Sequence, residues 1–67
     1  MARELYSNEL RDEFNNREQF TTADVRNFYN QYVPDIKDST VNWKIYHLIK
    51  EGVITRVRIG VYQLNQL

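Results

Sequence analysis

Apolar residues fall into three helical stripes followed by two strand-like runs. Tyr6, Leu10 and Phe14 recur every fourth position in a charged stretch, which predicts a helix over about Arg3–Asn16 with one narrow buried face. Asn15 and Asn16 are read as its end, because Asn tolerates the left-handed geometry of a helix C-cap. Phe20 and its neighbours predict a minimal strand. Thr21 then reads as an N-cap with Asp24 three residues on, a capping-box spacing. Val25, Phe28, Tyr29 and Tyr32 form one apolar face at i, i+3, i+4 and i+7. That helix is expected to end near Tyr32, since Pro34 disfavours helical geometry at Val33. The connection after it carries a single apolar plug, Ile36.

A third helix is predicted from an N-cap at Asp38 or Ser39 to about Glu51, with Gly52 as the residue that ends it. Its expected core face is Val41, Ile45, Leu48 and Ile49. The remainder is β-branched: Val53–Val57, a tight connection at Arg58-Ile59-Gly60, then Val61–Leu64, a β-hairpin pattern. The order is helix, strand, helix, helix, strand, strand. This predicts an α+β, mainly helical, winged helix-turn-helix domain, α-β-α-α-β-β. The short strand at Phe20 is expected to join the hairpin in a small antiparallel sheet, because a lone hairpin is marginal.

Composition sharpens this picture. Sixty-seven residues, 42% hydrophobic and without cysteine, suit one small domain over 1–67 held by packing alone. The segment Met1-Ala2-Arg3-Glu4 lacks the apolar stretch of a signal peptide, and no run is long enough to span a membrane. A cytoplasmic location is the default expectation. The net charge is zero, but residues 1–36 carry four basic and seven acidic side chains (−3), and residues 37–67 carry five basic and two acidic (+3). A basic half on an acidic scaffold fits a nucleic-acid reader, and equally fits chance.

The third helix carries the candidate chemistry. Opposite its expected core face lie Ser39, Thr40, Trp43, Tyr46, His47 and Lys50, with Asn42 and Lys44 on the flanks and no carboxylate among them. Hydroxyls and a helix N-terminus suit phosphates, and polar and aromatic side chains suit base edges in a major groove. The alternative is that Trp43 or Tyr46 folds back to complete the core. In the hairpin, two-residue alternation places Arg56 and Arg58 on one side as a basic wing; the alternative is edge-guarding charge. Lys37, just before the third helix, is a candidate phosphate contact or a solvated lysine. One histidine and no cysteine supply no metal-ligand set, and neither a phosphate loop nor a nucleophile–base motif occurs. No cofactor and no enzymatic activity are expected.

The stretch from Phe20-Thr21-Thr22-Ala23-Asp24-Val25, through Ser39-Thr40-Val41-Asn42-Trp43-Lys44-Ile45-Tyr46-His47-Leu48, to Glu51-Gly52-Val53-Ile54 and Arg56-Val57-Arg58-Ile59-Gly60-Val61-Tyr62 resembles the N-terminal winged-helix domain of antitoxin-type bacterial transcriptional regulators of abortive-infection (type IV toxin–antitoxin) systems. The resemblance implies operator binding and autoregulation, usually alongside a further C-terminal domain. It departs at the wing, where Gly-Arg-Gly is usual and Arg58-Ile59-Gly60 stands here. The chain's end at Leu67 fits either an excised domain or a stand-alone regulator. The expected partner is double-stranded DNA, with a homodimer or an additional protein partner also allowed. The runner-up function is a winged-helix protein–protein interaction module that does not bind DNA, to which the exposed Ile59 and the aromatic third helix are suited.

Overall fold

The computed structural model describes residues 5–65. The segment Arg3–Glu4, expected to open the first helix, lies outside them. Helix α1 spans Ser7–Phe14, strand β1 Phe20–Thr21, helix α2 Thr22–Asn30, helix α3 Asp38–Lys50, strand β2 Ile54–Arg58 and strand β3 Val61–Leu64. The fold is α+β in the expected order, with the layout of a winged helix: three helices closed by a three-stranded antiparallel sheet.

Strand order is β1-β3-β2, so the two-residue β1 pairs with the returning strand of the hairpin, Phe20 opposite Tyr62 and Thr21 opposite Val61. The pairing puts Phe20 and Tyr62 on the core face. Phe14 of α1 stacks on Phe20 at 4.3 Å between ring centroids, and Phe28 of α2 tilts onto Phe14 at 6.0 Å. Leu10, Val25, Tyr29, Ile36, Val41, Ile45, Leu48, Val53 and Ile54 complete one continuous core. Burying an aromatic side chain removes roughly 150–250 Å² from water, so aromatic packing is what lets so short a chain form a core without disulfides.

The local signals at α2 hold atom by atom. The Asp24 amide donates to Thr21 Oγ1, and the Thr21 amide donates to Asp24 Oδ2, the reciprocal pair of a capping box. Other boundaries differ from expectation. α1 closes at Asn15 in right-handed geometry; its left-handed residue is instead Tyr6, at the N-terminal end, where the ring stacks on Tyr32 at 4.2 Å. α2 ends at Asn30, two residues early, in a turn where the Asn30 side chain accepts the amide of Asp35, itself at φ 59°. Lys37, not Asp38 or Ser39, occupies the N-cap of α3, and no side chain caps that end. Asp38 is drawn into the first turn, with Oδ1 2.9 Å from Nη1 of Arg26.

The buried stripe of α3 is Val41, Lys44, Ile45 and Leu48, and Ile49 is 37% exposed. The helix is rotated from the expected face, so that Ile49 points outward and Lys44 inward. Lys44 is only 2% exposed, with Nζ 5.2 Å from the centre of the Tyr29 ring. A cation over an aromatic face, carried on an aliphatic stem that packs like a hydrophobe, is one way a lysine enters a core. The expectation that Lys44 borders the exposed face is therefore corrected.

Candidate nucleic-acid interface

Rotation of α3 leaves one side of thirteen residues facing away from the core. At 1.5 Å per residue the helix is about 20 Å long, a length and width that a DNA major groove admits. Ser39, Thr40, Asn42, Tyr46 and Lys50 are exposed on it, Tyr46 by 61%, while Trp43 and His47 are half-buried. These last two pack on each other at 3.9 Å between ring centroids, and Tyr46 meets the His47 ring edge-on at 5.3 Å. Trp43 is thus neither a core residue nor a free probe. It forms a shelf with His47 along the flank, from which Tyr46 projects.

The N-terminal end of α3 is open. Its first amides have no intrahelical acceptors and no side-chain cap, and Lys37 is exposed at the N-cap. Arg26 of α2 reaches the same end through Asp38. A shallow groove lined by Thr22, Ala23, Arg26, Asp38, Val41 and Asn42 separates the first turns of α2 and α3. Arg26 was not legible as a neighbour of α3, because twelve residues and a turn separate it from Asp38 and no local pattern couples them. From Ser39 to Lys50 the helix carries no carboxylate.

β2 follows α3 through Glu51-Gly52-Val53, with Gly52 at φ 81°, as the C-terminal glycine signal predicts. The hairpin departs from simple alternation. Arg56 lies opposite Tyr62, yet Arg58 lies opposite Val61, with a bulge between them. Tyr62 and Val61 are successive residues and point to opposite faces, so Arg56 and Arg58 lie on opposite faces of the wing, not on one side as expected. The extra residue in β2 causes the change: one more residue on that strand shifts every later side chain across the sheet. At the tip Ile59 is 92% exposed and Gly60 takes φ 79°. The Gly60 carbonyl accepts the Thr22 amide, tying the wing to the start of α2.

Buried ionisable chemistry lies away from this surface. Tyr29 is fully buried, its hydroxyl donates to the Leu5 carbonyl, and burial pushes the phenol well above its ordinary value of 10.0. A polar depression lined by Arg11, Asn15, Asn16, Arg17, Gln63 and Asn65 sits between the end of α1 and β3. There Arg11 donates to the Asn65 carbonyl, and Arg17 pairs with Asp24 at 3.5 Å. Among the described residues no group of three His, Cys, Asp or Glu side chains is placed to hold a metal ion. No described helix is long and apolar enough to cross a membrane.

The helix order, the sheet order and the hairpin that follows α3 define the class: a small winged helix. Within that class the chain belongs to the family described as a domain of unknown function, DUF7669, which matches residues 3–58. No curated protein and no solved structure matches it.

Proposed function

We propose that this domain binds double-stranded DNA as a non-catalytic transcriptional regulator, with α3 in the major groove and the wing on the adjacent backbone or minor groove. The observation that carries the reading is the outward side of α3. From Ser39 to Lys50 it is a carboxylate-free row of hydroxyl, amide, aromatic and ammonium groups, next to a helix N-terminus without a side-chain cap, where the one carboxylate, Asp38, is paired with Arg26. Anions are favoured at such an end, and carboxylates would repel phosphates along the row. Ser39, Thr40 and Lys37 serve as phosphate contacts that set register. Asn42 and Tyr46 face the base edges, Lys50 meets a phosphate at the far end of the helix, and the Trp43–His47 shelf packs against the groove wall. Lys44 takes no part, because it is spent in the core. The remaining contacts are Arg56 and Arg58.

The test is fluorescence anisotropy of a labelled duplex across a salt series. The affinity of the domain falls steeply with salt, and Lys50→Ala and Arg58→Ala each reduce the slope of log K against log salt by about 0.9. Binding that ignores salt, or no binding at low salt, overturns the reading. A second reading, a protein-interaction module, is favoured by one observation: the tip residue Ile59 is 92% exposed beside Val57, itself 42% exposed. In that case the wing variants disturb a protein complex and leave duplex affinity untouched.

A further inference from the structure

The wing is more than a basic hairpin. Its tip is a bare apolar side chain, Ile59, followed by Gly60, which has no side chain and nothing within 4 Å of where a Cβ would stand. Behind the tip the bulge sends Arg56 and Arg58 to opposite faces. An apolar point with one guanidinium on each side matches a narrow cleft that has a phosphate wall on either hand. A surface that met a single flat row of phosphates would gain more from both arginines on one face. A protein surface of matching chemistry would need two acidic walls facing each other, whereas the DNA minor groove has a phosphate wall on either side throughout its length.

We propose that the wing is an arginine-bracketed apolar wedge for the minor groove of A·T-rich duplex, with Ile59 against the groove floor and Arg56 and Arg58 on the two opposing backbones. This rests on the DNA-binding reading above and adds the ligand class to it. The floor chemistry selects the base pairs. A·T pairs present only acceptors there, whereas G·C adds the guanine N2 amino group. That amino group stands where Ile59 would lie, and its N–H outside the base pair finds no acceptor on a hydrocarbon. A-tract minor grooves are also narrower and more negative, which favours the flanking guanidinium groups. Only the Ile59 side chain enters: the groove is about 6 Å wide and two paired strands are about 4.8 Å apart between backbones alone, so the paired part of the hairpin, with Gly60 held to the Thr22 amide, stays outside.

The experiment uses three duplexes that share the sequence under α3 and differ beside it: A·T pairs, G·C pairs, and inosine·C pairs. Inosine removes the minor-groove amino group while leaving the G·C major-groove pattern unchanged. The wild-type domain binds the A·T and inosine·C duplexes about fivefold more tightly than the G·C duplex, the discrimination expected for one unfavourable base-pair contact. Ile59→Ser loses that preference but keeps salt-sensitive binding, and its thermal midpoint stays unchanged because the side chain packs on nothing. Arg56→Ala and Arg58→Ala each lower the salt slope by about 0.9. Equal binding of inosine·C and G·C duplexes by the wild type overturns the wedge, as does an undiminished preference in Ile59→Ser. Either result leaves DNA binding through α3 standing if salt-sensitive binding to all three remains. Absence of salt-sensitive binding to any duplex overturns the wedge and the DNA reading together.

Discussion

Lys44 and Lys50 sit on one helix with opposite fates, and the difference is testable. Lys44 is buried against Tyr29, while Lys50 is exposed at the end of α3. Lys44→Ala removes a packed stem and a charge held over a ring, and costs about 2–4 kcal/mol of stability. In a domain of this size each kcal/mol lowers the thermal midpoint by about 4–8 °C. Per folded molecule its DNA salt slope is unchanged. Lys50→Ala does the reverse: the melt holds and the slope falls. A Lys44→Ala variant that melts normally while losing DNA affinity would return Lys44 to the interface. Tyr29 gives a second measurement. Tyr29→Phe loses the bond to the Leu5 carbonyl, worth about 1 kcal/mol. Because burial raises the folded phenol above its unfolded value of 10.0, the wild type keeps this contribution below pH 10 and loses it as pH climbs toward the folded value. The stability gap between wild type and Tyr29→Phe, read from urea midpoints, therefore narrows above pH 10. A constant gap would mean that the phenol titrates alike in both states. None of this was legible in the sequence. A rule that sends lysine outward and isoleucine inward selected Ile49 for the core and placed Lys44 at the surface. The Tyr29 ring beside Lys44 belongs to another helix, and no pattern within α3 announces it.

At the scale of elements, local chemistry reads well and register does not. Thr21 and Asp24 announce the start of α2 from their spacing alone, since both halves of a capping box lie within four residues. Thr21→Ala breaks one half and lowers stability by about 1 kcal/mol, measured by thermal melting with the wild-type salt slope as the control. No loss of stability would mean that pairing of Thr21 with Val61 in the sheet, not the cap, holds the start of α2. The short β1 was also legible: a hairpin needs a third strand, and Phe20 was the apolar residue at hand. The start of α3 was missed because Asp38 looks like a cap in isolation, whereas pairing with Arg26 uses its carboxylate elsewhere. The bulge between Arg56 and Arg58 was missed for a related reason. Alternation along one strand says nothing about the residue count on its partner, and it is that count which decides the face each arginine occupies. The candidate site was therefore legible as a set of residue types on α3 and the wing, but not as a geometry.

The whole molecule is small enough for its charge split to act at a distance. Its extents are 27 × 23 × 21 Å, and residues 1–36 hold a balance of −3 against +3 for residues 37–67. At 10 mM salt the screening length is about 30 Å, longer than the domain; at 150 mM it is about 8 Å, shorter than any of its dimensions. On the proposed DNA-binding reading, the exposed carboxylates of α1, Glu9, Asp12 and Glu13, would be felt by a duplex on α3 only in dilute salt. The triple change Glu9→Gln, Asp12→Asn, Glu13→Gln tightens binding to every duplex alike at 10 mM salt, and the gain vanishes at 150 mM. Sequence preference is unchanged, because a long-range field acts on phosphates and not on base edges. The measurement is the ratio of variant to wild-type affinity on A·T and G·C duplexes at the two salt concentrations. A gain that persists at 150 mM would place α1 in direct contact with the backbone and displace α3 from the centre of the interface. No gain at 10 mM would mean that the acidic half lies beyond the field of the bound duplex, or that no duplex is bound. The salt series on the unchanged domain separates these last two cases.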